Sequence, residues 1–230
     1  MMDKQTINVP EVEALAQPQS RRSFLKSLAI AGAGVTAASA LIPGKAYAQY
    51  EGAATDLEIA NFALTLEYLE MDFYAQALNA GIVGSDALPY IEAAYDHESQ
   101  HVDALTSLIT EAGGTPVAMP EFTFGDALSS ESAFLNTAAT LEITGVGAYL
   151  GAAPMISGPS VLAAAGSIVG VEGEHVVAIN YLLGVVPPAN MAFPEALSQE
   201  AVLEAIAPFM GGAMPEAGGE APVYGTGKAY

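Results

Sequence analysis

The chain has 230 residues, 52% of them hydrophobic, with 26 acids against six Lys and Arg, three His and no cysteine. The lack of cysteine rules out disulfides, thiolate zinc sites, iron–sulfur centres and thiol nucleophiles. A formal net charge of −20 repels nucleic acid and anionic membranes, argues against phosphate-bearing substrates and draws in cations. With three imidazoles and no thiol, any tight metal site has to be rich in carboxylate.

Residues 20–26 read Ser-Arg-Arg-Ser-Phe-Leu-Lys, which resembles a twin-arginine export signal. An apolar run from Leu28 to Ile42 follows, then Pro43, then Ala46-Tyr47-Ala48 in the A-x-A form of a cleavage site. These features assign residues 1–48 as a removed leader. The resemblance implies a protein handled by the twin-arginine export machinery, which carries folded proteins, and located in the periplasm or outside the cell. An uncleaved membrane anchor is the alternative, although the run is short and rich in Gly and Ala for a span. The leader holds five of the six cations, so the mature chain keeps Lys228 alone.

The rest of the chain has a helical pattern and the size of one domain. Thr55-Asp56-Leu57-Glu58 is a capping box that opens a first helix running to Asn79, with Gly81 at its end. Ser85 or Asp86 starts a second helix, Pro89 sits in its first turn, and Gly113-Gly114 stops it. Residues 113–130 have no helical period. A third helix is expected from Ser132 to Ala153, ended or kinked by Pro154. Gly158-Pro159-Ser160 opens a fourth, ending near Gly184. A short helix over Ser198 to Phe209 and a flexible Gly/Pro/Glu-rich tail complete the chain. Two short loops and one long one predict an all-α antiparallel four-helix bundle over 49–184, with a long crossover between helices two and three. Residues 185–230 form a C-terminal extension. Glycines spaced four apart, Gly147 and Gly151 in helix three and Gly166 and Gly170 in helix four, are expected to let those two helices approach closely.

The chemistry-bearing residues fall into a repeat. Glu98-x-x-His101 in helix two is matched by Glu172-x-x-His175 in helix four. Residues three apart share a helix face, so each pair can aim a carboxylate and an imidazole at one point. Glu67 precedes Tyr74 by seven residues in helix one, and Glu142 precedes Tyr149 by seven in helix three. The two copies are offset by 74 or 75 residues, which reads as an internal two-fold repeat of a helical hairpin. Four carboxylates and two histidines on four successive helices are the ligand set of di-iron and di-manganese bundles. Glu142 and Glu172 also lie in apolar surroundings, where an unpaired carboxylate is costly and a metal pair would neutralise it.

The segments LEYLEMDFY (66–74), DHESQHVDAL (96–105), LEITGVGAYLGAAP (141–154) and GVEGEHVVAINYLLG (170–184) resemble the motifs of the ferritin-like superfamily. They are most similar to its exported bacterial branch, related to plant desiccation-related proteins. The resemblance implies a ferritin-like fold over roughly 55–185 and two metal ions per chain, iron or manganese. It implies Glu67 and Glu142 as one-per-metal ligands, Glu98 and Glu172 as bridges, and His101 and His175 as terminal ligands. Tyr74 and Tyr149 become hydrogen-bond donors to the ligand carboxylates. The implied activity is oxidation of ferrous iron or chemistry on dioxygen or peroxide. The same bundle also suits a non-enzymatic stress or envelope protein. The ligand set accepts iron and manganese alike, and a homo-oligomer is compatible with everything above.

A competing pattern overlaps the second helix. His97-Glu98-x-x-His101 spells a zinc-hydrolase signature, with the two histidines as ligands and Glu98 as base. It leaves the Glu172/His175 pair and both Glu–Tyr pairs without a role. Glu70, one turn beyond Glu67, reads as an extra ligand or as part of a solvated face, the face being favoured; His97 is expected at the surface or behind the ligands, and Glu174 away from the site. Tyr68, Tyr95 and Tyr181 are expected to be packing residues.

Overall fold

The computed structural model describes residues 55–189 and 191–211. The leader assigned to 1–48 lies outside them, as does the tail from 212 onward. The described residues form five α-helices: α1 (Asp56–Ala80), α2 (Leu88–Glu111), α3 (Glu131–Ala152), α4 (Pro159–Leu182) and α5 (Gln199–Ile206).

Local chemistry sets most of the helix ends. Thr55 and Glu58 make the reciprocal capping box at the start of α1, and Gly81 closes that helix in the left-handed conformation at φ 66°. Ser130 caps α3 by accepting from the Ala133 amide, and Ser198 caps α5 by accepting from Ala201. The start of α2 departs from expectation. It begins at Leu88, with Ala87 at the cap and no side-chain hydrogen bond. Ser85 contacts the neighbouring Asp86 instead of capping, and the Gly84 amide donates to Glu131 at the start of α3. Pro154 ends α3 by converting it to a 3-10 turn over Ala153–Met155. The predicted terminal helix splits in the same way, into α5 and a 3-10 turn over Ala207–Phe209.

The contacts fix the directions of the helices. Asn61 near the start of α1 accepts from the Val117 amide just beyond α2, so α1 and α2 are antiparallel. Tyr74 bonds Glu142 while Tyr149 bonds Glu67, so α1 and α3 also run in opposite senses. The crossover after α2 passes along the bundle from Asn61 to Phe73, where Phe124 packs ring to ring at 4.9 Å. It is pinned on the way by a bridge between Phe122 and Met210. One long connection of this kind is the predicted topology.

Two apolar clusters fill the bundle. One centres on Phe73, Ile91, Phe134 and Ile179, and takes in Val202 and Ile206 of α5. The other centres on Leu64, Leu105, Ile109, Tyr149 and Ile168. The residues between them on each of the four long helices are polar and buried: Glu67 and Glu70, Glu98 and His101, Glu142, and Glu172 and His175. Among the described residues α4 alone is long and apolar enough to cross a membrane. Glu172 and His175, buried on it against the other helices, make it a bundle helix.

The glycine expectation needs correction. A Cβ on Gly147 would meet Leu197 Cγ at 2.5 Å, and one on Gly151 would meet the Leu197 carbonyl oxygen at 1.8 Å. These glycines therefore receive the segment that leads into α5, not α4. The Leu197 amide donates to Gly147 O at 2.9 Å in the same contact. Gly166 and Gly170 have nothing within 4 Å of an added Cβ. Gly151→Ala should therefore cost about 1–3 kcal/mol by displacing backbone, whereas Gly166→Ala should be neutral or stabilise by up to about 1 kcal/mol. Chemical denaturation of both variants checks the contrast, and equal stabilities would overturn the assignment of the α5 contact.

Candidate metal centre

Helical spacing places each predicted pair as expected. Glu98 and His101 leave α2 on one face, and Glu172 and His175 leave α4 on the face opposite. Their polar atoms, with those of Glu67 and Glu142, converge into two overlapping groups able to hold a metal ion. One is Glu67, Glu98, His101 and Glu172; the other is Glu98, Glu142, Glu172 and His175; ligand atoms within each lie within 4.8 Å of one another. Glu98 and Glu172 belong to both, and all four carboxylates are fully buried at 0% exposure.

The hydrogen bonds run crosswise. The Tyr74 hydroxyl of α1 donates to Glu142 Oε1 of α3, and the Tyr149 hydroxyl of α3 donates to Glu67 Oε1 of α1. Each of these carboxylates turns its second oxygen to an imidazole. His101 Nδ1 lies 3.0 Å from Glu67 Oε2 and from Glu98 Oε2. His175 Nδ1 lies 3.2 Å from Glu142 Oε2. Four buried carboxylate oxygens have no hydrogen-bond partner among the described residues: Glu70 Oε1, Glu98 Oε1 and both oxygens of Glu172. His175 Nδ1 is 3.0 Å from Glu98 Oε1, and His101 Nδ1 is 3.3 Å from Glu172 Oε1, but neither approach is aligned as a hydrogen bond. Unpartnered buried oxygens facing imidazole nitrogens suit a cation.

The electrostatics have the same origin. Burial, then the charges of Glu172 and Glu67, raises Glu98 well above the ordinary carboxylate range. Burial and the charges of Glu142 and Glu67 do the same to Glu172. Burial would also raise Glu67, but hydrogen bonding and charge from His101, with the Tyr149 hydroxyl, more than offset it and hold Glu67 low. Burial pulls His101 down, yet the adjoining Glu172, Glu67 and Glu98 outweigh it and push it up to about 12. His175 is raised as well, its burial outweighed chiefly by Glu142. Burial and the neighbouring Glu142 and Glu67 keep the Tyr74 and Tyr149 phenols neutral by raising them well above 10.0.

Two sequence expectations change, one for Glu70 and one for Tyr95 and Tyr181. Glu70 is not on a solvated face; it is buried at 3% exposure and turned toward the cluster. Burial, then the charges of Glu172, Glu142 and Glu67, raises it well above the ordinary range. The spacing that picks out Glu98 and His101 was available for Glu67 and Glu70 too, so the signal existed. His97 belongs to neither ligand group. Its Nδ1 lies 3.0 Å from Nε2 of His175, and the two rings stack at 5.2 Å. Tyr95 and Tyr181 are exposed, Tyr181 pairing with Tyr90, whereas Tyr68 packs against both apolar clusters. Glu174 is exposed, as expected.

Residues 55–185, more than half of the chain, match the family model described as the ferritin-like domain. A search of curated proteins gives no match to the chain.

The raised groups set a pH dependence for the chain in a chelator. Glu70, Glu98, Glu172 and His101 hold protons in the fold that the unfolded chain gives up. Their stabilisation is complete below the unfolded values and is lost as pH rises through the folded ones. Glu67 is held low and acts in the opposite sense, losing its stabilisation as pH falls. The raised groups outnumber it, so the melting temperature in chelator should fall between about pH 6 and about pH 9. Saturating Mn2+ should reverse the trend, because ligands must shed protons to bind. Thermal melts across that range test both signs, and a chelated protein that gains stability toward pH 9 would contradict the first.

Proposed function

The chain belongs to the ferritin-like domain family, and on that premise we propose that it carries a carboxylate-bridged dinuclear centre of iron or manganese. We assign Glu67 and His101 to one metal, Glu142 and His175 to the other, and Glu98 and Glu172 to both. The observation that carries this reading is the set of four fully buried carboxylates, two of which keep oxygens with no protein partner. Hard anionic oxygens and imidazole nitrogens in this number are a donor set that suits two divalent ions.

A bound pair of this kind supplies two-electron chemistry suited to oxidising ferrous iron or reducing dioxygen or peroxide. The chain's own residues do the rest. Tyr74 and Tyr149 hold Glu142 and Glu67 in fixed orientation through neutral phenol donors. The two apolar clusters keep bulk water from both ends of the polar layer. An apolar cavity of about 30 Å³, lined in part by Ile59, Leu66, Leu105 and Ala165, lies against Tyr149, whose hydroxyl donates to Glu67. Apolar cavities admit small apolar molecules, which favours dioxygen as the oxidant. We place the protein outside the cytoplasm on the strength of residues 20–48. Folding around metal before twin-arginine export would fix the metal's identity ahead of secretion.

Elemental analysis of protein taken from the export compartment tests the reading. The native chain should contain about two Fe or Mn, and a Glu98→Ala/Glu172→Ala variant should lose both. Ferrous oxidation by the native chain should fall to the uncatalysed rate in that variant. One zinc per chain that survives loss of Glu172 would instead support the zinc pattern at 97–101.

A further inference from the structure

The internal repeat makes the two halves of the site comparable position by position. Glu67 corresponds to Glu142, Tyr74 to Tyr149, Glu98 to Glu172 and His101 to His175. Two further positions break the match. Glu70 corresponds to Gly145, and His97 corresponds to Val171. The break at His97 bears on the half built around His175; Glu70, which like His97 lies in neither ligand group, neighbours Glu172 Oε2, whereas Glu172 Oε1 is the oxygen beside His101.

Gly145 shows where Glu70 reaches. A Cβ built on Gly145 would lie 3.4 Å from Glu70 Oε1 and 3.1 Å from Glu172 Oε2. The space beside Gly145 on α3 therefore borders both carboxylates. Glu70 is nine-tenths buried and more, and its Oε1 has no hydrogen-bond partner. Glu172 is fully buried, with both oxygens unpartnered. Two neighbouring carboxylates in an apolar bundle repel each other unless a proton or a cation lies between them.

His97 supplies the second difference. His175 turns Nδ1 to Glu98 and Glu142, and its Nε2 lies 3.0 Å from His97 Nδ1. A metal taken on Nδ1 leaves the His175 Nε2–H to donate to His97, which fixes the tautomer and strengthens the ligand. At the corresponding place beside His101 stands Val171, whose side chain has no polar atom.

We propose that Glu70 is a fifth carboxylate ligand, serving the position framed by Glu98, Glu142, Glu172 and His175, and that this position therefore fills before the one at His101. The inference rests on the dinuclear reading above and deepens it. An additional anionic oxygen raises affinity for a hard divalent ion, and His97 holds the imidazole of that position ready. The centre is asymmetric, with a half-filled state in which the ion sits at His175.

Mn2+ titration of the chelator-stripped full chain, followed by calorimetry and by the EPR signal of free Mn2+, reads the two affinities directly. The native chain should bind in two resolved steps. Glu70→Gln keeps the size of the side chain and removes the charge; it should weaken the first step by about tenfold or more and leave the second unchanged. His175→Ala should abolish the tighter step and His101→Ala the weaker one. This pair decides the order of filling even if Glu70→Gln fails to fold, which a thermal melt reports. Two equal steps, a tight step that survives His175→Ala, or a folded Glu70→Gln with both steps unchanged would overturn the assignment while leaving a dinuclear centre intact. A native chain that takes up no Mn2+ and no anaerobic Fe2+ would overturn the dinuclear reading and this one with it.

Discussion

Mutual repulsion of carboxylates buried in an apolar bundle is the constraint on which the rest of the structure depends. Glu67, Glu98, Glu142 and Glu172 are all fully buried, and Glu70 nearly so. Ionised carboxylates in such a place are strongly unfavourable unless paired. Among the described residues, two imidazoles and two phenols lie against these carboxylates. Burial and the neighbouring carboxylate charges raise Glu98 and Glu172, and the adjoining carboxylates push His101 up to about 12 against its own burial. Divalent cations would relieve the same repulsion, with protons released in exchange. Stability and metal affinity are thus two readings of one charge imbalance.

The fold serves that layer by holding it between two apolar clusters and fixing four helices around it. The crossover makes this possible. By returning along the bundle from Asn61 to Phe73, it lets the second hairpin meet the first with α1 and α3 in opposite senses. In that arrangement a tyrosine seven residues after a glutamate cannot reach its own glutamate's far side, but it meets the glutamate of the other hairpin. Tyr74 to Glu142 and Tyr149 to Glu67 are the result, and they tie the two repeats together across the site. The C-terminal segment adds a clasp, Leu197 seated on Gly147 and Gly151 of α3.

Much of this was legible in the sequence because it depends on local spacing. The capping box at Thr55, the glycine stop at Gly81 and the paired Glu-x-x-His motifs all act within a few residues, and the structure places them as read. What was not legible depends on rotation and on distant partners. Glu70 shares a face with Glu67 to within about 60° on an ideal helix, a difference that can mean solvent or core. The rotation of α1 in the bundle decides between them, and Gly145, in another helix, borders the space that Glu70 enters. Gly147 and Gly151 mislead in the same way. Small residues announce a close approach but not what approaches, and here the visitor is Leu197, not α4. His97 shares a helix face with His101, so spacing alone left the zinc pattern open as an alternative; the partners that separate the two, His175 for His97 and Glu67 for His101, lie on other helices.

The carboxylates divide into two kinds, and the division has a chemical meaning. Glu67 and Glu142 each have one oxygen tied to a phenol and the other beside an imidazole, so they are anchored. Glu172 has neither oxygen tied, and Glu98 has one free. Anchored ligands hold geometry, which is what a site needs to keep its ions apart and in register. Untied ligands can turn about their terminal bonds at little cost, because no hydrogen bond is broken when they do. A centre that changes charge during turnover has to adjust its carboxylate contacts while keeping its metals. The residues free to adjust are the two shared between the positions, and the residues held still are the two that each belong to one. Under the dinuclear reading proposed above, the adjustable carboxylates lie between the two positions and the anchored ones at either side of them.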